Sequence, residues 1–140
     1  MNCEQIMKQV VECVGPDDLV RDAAERMRDE NIGFLPVCDD DRRALGTITD
    51  RDITVRVVAD DRPNSTRIEE VMTREVVACR ATDDISVAQE LMGHHQKSRI
   101  ICTDEDGRLV GVISLSDIAQ DNGGEAVRTL REVTGREARA

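Results

Sequence analysis

Aromatic side chains are almost absent from this sequence. Of its 140 residues, one is Phe and none is Trp or Tyr. The hydrophobic core must therefore be built from aliphatic side chains and Met. The same absence removes the aromatic platforms on which proteins commonly stack single-stranded nucleic acid.

Positive charge and long apolar runs are also scarce. Lys and Arg number 19 against 29 Asp and Glu, so the formal net charge is -10. An acidic surface repels nucleic-acid backbones and anionic membranes, which disfavours both as partners. No apolar run approaches the roughly 18 residues of a membrane-spanning helix, and the polar start MNCEQIMKQV does not resemble a signal peptide. These features predict a cytoplasmic protein with no membrane partner.

The five cysteines include no pair at the C-x-x-C spacing typical of zinc or redox motifs. We expect them to be reduced, small hydrophobic side chains. Cys13 and Cys38 fall in neighbouring predicted strands, so a disulfide or a shared metal stays open as an alternative. His94 and His95 are adjacent on a predicted helix, and adjacent helical residues do not share a face. No metal site is predicted.

The chain contains an internal repeat. Shifted by 65 residues, the sequence aligns with itself without a gap. Identical pairs include Asp18 with Asp83, Gly46 with Gly111, and Asp52 with Asp117. One copy would be only marginally stable alone, so we expect the two copies to pack as a pseudo-twofold pair.

Each copy is predicted to have the element order β-α-β-β-α, which makes the fold class α/β. The first copy has predicted strands at 10–14, 34–38 and 44–49 and helices at 19–31 and 50–59. The second copy has predicted strands at 76–79, 99–103 and 109–114 and helices at 84–96 and 116–120. Short helical lead-ins are expected at 3–7 and 68–72, with a linker at 60–67. The predicted domains are 7–66 and 72–128. A tail at 129–140 follows, and the helix expected after Gly124 would carry Val127, Leu130 and Val133 on one side.

The last strand of each copy ends in the same motif. It reads Gly46-Thr-Ile-Thr49-Asp-Arg51-Asp52 in the first copy and Gly111-Val-Ile-Ser114-Leu-Ser116-Asp117 in the second. One interpretation is a capping box, in which hydroxyl and carboxylate satisfy backbone N–H groups at a helix start. The other is a nucleotide site, with the hydroxyl on phosphate and the carboxylate on vicinal ribose hydroxyls. Both interpretations stay open from the residues alone.

The two copies differ in the cations near this motif. Arg51 stands inside the first motif, where it can make a charge-assisted contact with phosphate. The second copy has Ser116 at that place. A cation for the second copy could come from Arg99 on the neighbouring strand.

At this point the sequence resembles a known family. The doubled unit, with Leu35-Pro36-Val37 in one strand and Gly46 to Ile53 after the next, is similar to a CBS-domain pair, also called a Bateman module. The resemblance covers about residues 3–122 and is to the stand-alone prokaryotic type. It implies AMP, ADP, ATP or S-adenosylmethionine as ligands, bound in clefts between the paired domains. No cofactor is required, and a homodimer is implied.

The resemblance also assigns roles to residues of this chain. Thr49 and Ser114 would meet phosphate or ribose, and Asp52 and Asp117 would hold the ribose. The residues that would flank the base are Leu35, Pro36, Val37, Ile100 and Ile101. Ile101 departs from the pattern, because the first copy has Pro36 at that position.

Catalytic motifs are missing: the chain has no G-x-S-x-G, H-E-x-x-H or P-loop sequence. We therefore predict a regulatory sensor that binds an adenosine-containing ligand and signals to a separate partner, and not an enzyme. One alternative is a ligand-free scaffold or stress-response interaction protein. Another is a thiol- or zinc-dependent sensor that uses Cys13 and Cys38.

Overall fold

The chain divides into two compact units, each built around one copy of the repeat. The computed structural model describes residues 1–9, 12–121 and 123–138. The first unit comprises residues 12–76, and the second comprises residues 1–11 together with 77–140. The α/β fold class with a doubled unit is confirmed.

The first unit places a helical layer on a small sheet. Its elements are α1 (Val20–Glu30), β1 (Phe34–Cys38), β2 (Ala44–Thr49) and α2 (Asp50–Ile53), with α2 continuing as a π-helical turn over Thr54–Val58. β1 and β2 pair antiparallel, with Leu35 opposite Ile48. Val14 adds a parallel bridge to Val37, and Thr73 adds an antiparallel bridge to Thr47. The core is aliphatic, as the lack of aromatic residues requires.

The second unit repeats this order. Its elements are β3 (Ala78–Arg80), α3 (Ile85–His95), β4 (Arg99–Thr103), β5 (Leu109–Ser114), α4 (Leu115–Asp121) and α5 (Gly123–Ala138). β4 lies between β3, to which it is parallel, and β5, to which it is antiparallel. Its core joins Ile100, Ile113 and Ile118 with Met92 and Val133.

Local sequence explains where the helices begin and end. The Leu19 N–H donates to the Asp22 carboxylate at 3.0 Å, which satisfies a free N–H at the start of α1. Asp84 caps α3 by accepting from the Ser86 N–H at 3.1 Å. Asn31 and Gln96, which are equivalent in the repeat, end the two helices in the left-handed region.

Each lead-in packs with the copy that it does not precede in sequence: the first lead-in packs with the second copy, and the second lead-in packs with the first copy. The 3-10 turn Cys3–Gln5 belongs to the second unit, where the Cys3 N–H donates to the Asp83 carbonyl at 2.9 Å. The turn Ile68–Glu70 belongs to the first unit, where the Ile68 N–H donates to the Asp18 carbonyl at 2.8 Å. Each unit therefore contains the turn that precedes the other copy in sequence.

Three of the predicted elements need correction. The strand predicted at 76–79 is observed over Ala78–Arg80. Of the strand predicted at 10–14, Val10 and Val11 lie outside the described residues, and Val14 makes only a single bridge. The tail is helical as expected, but Val127 and Leu130 are exposed while Val133 is buried. The buried side of α5 carries Thr129 and Val133, because residues four apart share a helix face. No described helix is both long and apolar enough to cross a membrane.

Candidate functional site

The repeated motif forms a reciprocal cap where β2 passes into α2. The Thr49 N–H donates to Asp52 Oδ2 at 3.0 Å, and the Asp52 N–H donates to Thr49 Oγ1 at 3.1 Å. The capping interpretation is therefore confirmed. The same contacts hold a hydroxyl and a carboxylate side by side at the strand end, so the cap and a binding role are compatible.

The glycine that opens the motif is required by a close neighbouring backbone. A Cβ atom at Gly46 would overlap the carbonyl oxygen of Thr73, which pairs with Thr47 beside it. At Gly111 a Cβ atom would overlap the Met7 side chain and the Lys8 carbonyl oxygen. The residues that directly follow the lead-in turns, Thr73 and Lys8, can thus pair with the motif strands only because these two positions lack a side chain.

Two further groups of the first unit surround Asp52. The Thr73 hydroxyl donates to Asp52 Oδ1 at 3.3 Å. Arg56 places its Nε 3.9 Å from the same oxygen, and its Nη1 donates to the carbonyls of Val71 and Met72 at 2.9 and 3.0 Å. The Asp52 side chain is only 12% exposed. Arg51 is exposed on α2.

The second unit builds the same cap with different surroundings. The Ser114 N–H donates to Asp117 Oδ2 at 2.9 Å, and the Asp117 N–H donates to Ser114 Oγ at 3.2 Å. The hydroxyls of Ser114 and Ser116 share a hydrogen bond of 2.8 Å. Arg99 pairs with Ser114 across the β4–β5 ladder and is exposed, so the register brings Arg99 beside the motif.

The residues expected to flank the base are all buried. Leu35 and Val37 lie in the core of the first unit, and Ile100 lies in the core of the second. Pro36 and Ile101 are also buried and, by strand alternation, point to the opposite sheet face from these core residues. The side chains of Leu35, Val37 and Ile100 are therefore packed inside their own units and cannot contact a ligand. These residues can contact a ligand only through their backbone N–H and C=O groups.

A family model now decides the assignment: the description "CBS domain" matches residues 3–59 and again 68–121. The chain belongs to the CBS-domain family. Each match contains one copy of the motif, so the capped hydroxyl and carboxylate belong to CBS domains. The predicted bounds of 7–66 and 72–128 stay a prediction, since the compact units exchange their lead-ins.

Relatives support this CBS assignment at the level of whole chains. Hypoxic response protein 1 of Mycobacterium tuberculosis is 36% identical over 116 residues, covering 82% of this chain and 80% of that protein. The solved structure of Hypoxic Response Protein I with two coordinated zinc ions matches with a TM-score of 0.78 at 34% identity, covering 86% of this chain and 98% of that one. The CBS domain pair of protein MJ0100, in complex with 5′-methylthioadenosine and S-adenosyl-L-methionine, matches with a TM-score of 0.78 at 25% identity, covering 89% and 98%.

The cysteines of this CBS pair form two groups and are all free thiols. In the first unit Cys38 is buried, and burial together with the neighbouring Cys13 thiol raises the pKa of Cys38 to about 12. Arg42 approaches Cys13, with Nη1 3.8 Å from Sγ. In the second unit, Cys79 Sγ lies 3.6 Å from both Cys3 Sγ and Cys102 Sγ. The expected proximity of Cys13 and Cys38 is thus confirmed.

Sequence reasoning missed the groups that enclose the two motifs. Thr73 and Arg56 were not singled out, and neither was Lys8, which the repeat places at the position of Thr73. The signal was available in part, because extending the matched lead-ins by one residue pairs Lys8 with Thr73. The exchange of lead-ins between units, which brings Thr73 to Asp52, carries no local sequence signal.

Proposed function

We propose that this CBS pair is a regulatory module that binds an adenosine-containing ligand and signals to a separate partner protein. The ligand classes are AMP, ADP, ATP and S-adenosylmethionine. The observation that carries the proposal is the duplicated placement of a hydroxyl and a carboxylate, Thr49 with Asp52 and Ser114 with Asp117, where a strand meets a helix. A carboxylate in this position can accept hydrogen bonds from both hydroxyls of a ribose.

Two further observations support an adenosine ligand. The CBS domain pair of protein MJ0100 is in complex with 5′-methylthioadenosine and S-adenosyl-L-methionine, which is a property of that protein and supports S-adenosylmethionine among the ligand classes. Exposed Arg51 and Arg99 stand beside the two motifs, and a guanidinium is well suited to phosphate. The proposed site residues remain Thr49, Arg51, Asp52, Ser114, Asp117 and Arg99, with backbone groups of Leu35, Pro36, Val37, Ile100 and Ile101.

Regulation would follow from unequal affinity of the ligand for two conformations of the chain. A ligand shifts such an equilibrium only by the difference between these two affinities. We infer a cytoplasmic homodimer whose ligand-dependent surface is recognised by the partner. Catalysis is not part of the proposal.

Zinc is not carried over from the relative that holds it. Among the described residues, no group of three or more His, Cys, Asp or Glu side chains is arranged to hold a metal ion. Cys13 and Cys38 are close, but two thiols fall short of the four ligands of a structural zinc site.

Thermal unfolding of the reduced chain tests the proposal with AMP, ADP, ATP and S-adenosylmethionine in turn. A ligand at 100 times its dissociation constant adds about 2.7 kcal/mol of stability, which for this length raises the midpoint by about 8 °C. The double variant Asp52→Ala with Asp117→Ala should lose this rise. No rise with any of the compounds would refute the proposal.

The chain offers a matched control for this double variant. Asp18 and Asp83 are also equivalent in the repeat, and each accepts a 2.8 Å hydrogen bond from the backbone N–H three residues before it. Asp18→Ala with Asp83→Ala therefore removes a backbone-to-carboxylate hydrogen bond of the same spacing, at a turn outside the motif. This control should be destabilised to a similar extent and keep the ligand-induced rise.

A further inference from the structure

The two CBS motifs differ in how many of the carboxylate oxygens accept hydrogen bonds from the protein itself. In the first unit, Asp52 Oδ2 accepts from the Thr49 N–H and Oδ1 accepts from the Thr73 hydroxyl. Arg56 also faces Oδ1, at 3.9 Å. Both oxygens of this largely buried carboxylate are therefore already engaged.

In the second unit, half of the corresponding carboxylate is open. Asp117 Oδ2 accepts from the Ser114 N–H, but no described group donates to Oδ1. The repeat places Lys8 where the first unit has Thr73, and Asp121 where it has Arg56. The backbone of Lys8 pairs with Val112 at 3.0 and 3.1 Å, just as Thr73 pairs with Thr47, so the backbones agree and only the side chains differ.

We propose that the ligand binds first at Asp117. The Thr73 hydroxyl competes with the ligand for Asp52 Oδ1 and so lowers the affinity of the Asp52 site. This inference rests on the proposed function and adds which site fills first. The ligand class that it selects is a nucleoside with an intact vicinal diol, because the open oxygen is suited to accept a sugar hydroxyl.

The preference follows from counting hydrogen bonds on each side of the equilibrium. A ribose hydroxyl that binds Asp117 Oδ1 gains an acceptor without breaking a protein hydrogen bond. A ribose hydroxyl at Asp52 Oδ1 must share that oxygen with the Thr73 hydroxyl and the nearby Arg56 guanidinium, so it gains a weaker hydrogen bond there. A hydrogen bond to a charged group contributes about 1.5–3 kcal/mol, which corresponds to roughly tenfold or more in affinity.

The test is calorimetric titration of the reduced chain with AMP and with S-adenosylmethionine. We expect one tight binding event per chain. Asp117→Asn should weaken it about tenfold or more, because the variant keeps an oxygen for the Ser114 N–H but loses the carboxylate. Asp52→Asn should change the affinity of this event less than about threefold, because the first event uses Asp117 and not Asp52. The 2′-deoxy analogue of each ligand should lose affinity in the wild type but not further in Asp117→Asn.

Thr73→Val tests the competitor directly. Val keeps the shape of Thr and leaves the backbone pairing with Thr47 in place, but it frees Asp52 Oδ1 from the hydroxyl. We expect a second binding event of increased affinity in this variant, and that event should disappear when Asp52→Asn is added. An unchanged stoichiometry and affinity in Thr73→Val would overturn the role of Thr73.

The outcomes separate this inference from the proposed function. Binding that depends on Asp52 and not on Asp117, or equally on both, would overturn the order of filling and leave the regulatory module intact. Absence of binding by both probes to the wild type would overturn the inference and the proposed function together. Asp83→Ala removes a backbone-to-carboxylate hydrogen bond from a turn of the second unit and should leave the binding event unchanged.

Discussion

Three thiols lie in a row in the core of the second unit. Cys79 is central, 3.6 Å by sulfur-to-sulfur distance from Cys3 and from Cys102. The hydrogen bond with Cys102 and burial raise the pKa of Cys79 to about 12. The hydrogen bond with Cys79 and burial likewise raise the pKa of Cys3 far above its ordinary value. The Cys3 and Cys79 thiols are therefore protonated in the folded chain at neutral pH, and thiols in that state are poor nucleophiles.

We predict that the chain loses stability as pH rises above about 9, through these thiols. The unfolded chain releases their protons near its ordinary pKa, about 8.5, while the folded chain keeps them. Stability is thus full below that pH and falls as pH approaches the raised value, by at most about 1.4 kcal/mol per pH unit for each thiol. Urea unfolding in reductant at pH 8 and pH 10 measures the loss.

The composition makes this measurement clean. The chain has no Tyr, and Lys8 and Lys97 are its only lysines, so few other groups titrate in this range. The thiolate absorbance that Cys3 and Cys79 contribute, at about 240 nm, should appear together with unfolding. Ionised Cys3 and Cys79 thiols in a chain that is still folded at pH 10 would contradict the prediction.

Contacts between residues close in sequence were predictable, and contacts between residues far apart in sequence were not. Thr49 and Asp52 lie within one turn, so their reciprocal cap could be inferred from spacing alone. Thr73 reaches Asp52 only after the chain has passed through α2 and the linker. Its role depends on packing, which leaves no periodic or motif signal in the sequence.

At the scale of elements, α5 completes the second unit. It packs on α3 and α4, and Val133 enters the core cluster that contains Ala88, Met92 and Ile118. Val127 and Leu130 face outward on the same helix. The tail therefore contributes to stability through one side only.

A pair of valine substitutions tests this packing. Val133 is 3% exposed, so Val133→Ala should cost about 1–3 kcal/mol through lost burial and a residual cavity. Val127 is 51% exposed on the same helix, so Val127→Ala should change stability by less than about 0.5 kcal/mol. Chemical denaturation of both variants gives the comparison, and equal effects would mean that α5 does not pack as described.

Elements bounded by turn residues were the most predictable. β1, β2, β4 and β5 have the predicted ends. β1 and β4 are apolar runs between a helix stop and a polar turn, and β2 and β5 run from that turn to a capped helix start. Asp39 and Asp104 close the two hairpin turns identically, each carboxylate accepting from N–H groups two and four residues later. The exchange of lead-ins was not predictable from the sequence. Both copies have a glycine, Gly46 or Gly111, at the position that the segment after a lead-in approaches, so the glycines do not show which lead-in packs where.

At the scale of the whole molecule, net charge and exposed apolar surface have opposite effects on the association of two chains. A formal net charge of -10 makes two copies of the chain repel. Against this, the π-helical turn of the first unit exposes Val55 at 45% and Val58 at 70%, one turn apart. The second unit has Gln120 and Gly123 at the equivalent positions, so the apolar pair is confined to the first unit.

We predict that the proposed homodimer forms through this valine pair. Light scattering of the reduced chain should give twice the 15.6 kDa mass, with the dimer strengthened by added salt because salt screens the repulsion. Val58→Glu should shift the mass to that of one chain, since it places a further negative charge at the contact. Val127→Glu carries the same charge on exposed α5 and should leave the mass unchanged. Dissociation by both substitutions would assign the effect to net charge, and dissociation by Val127→Glu alone would move the contact to the second unit.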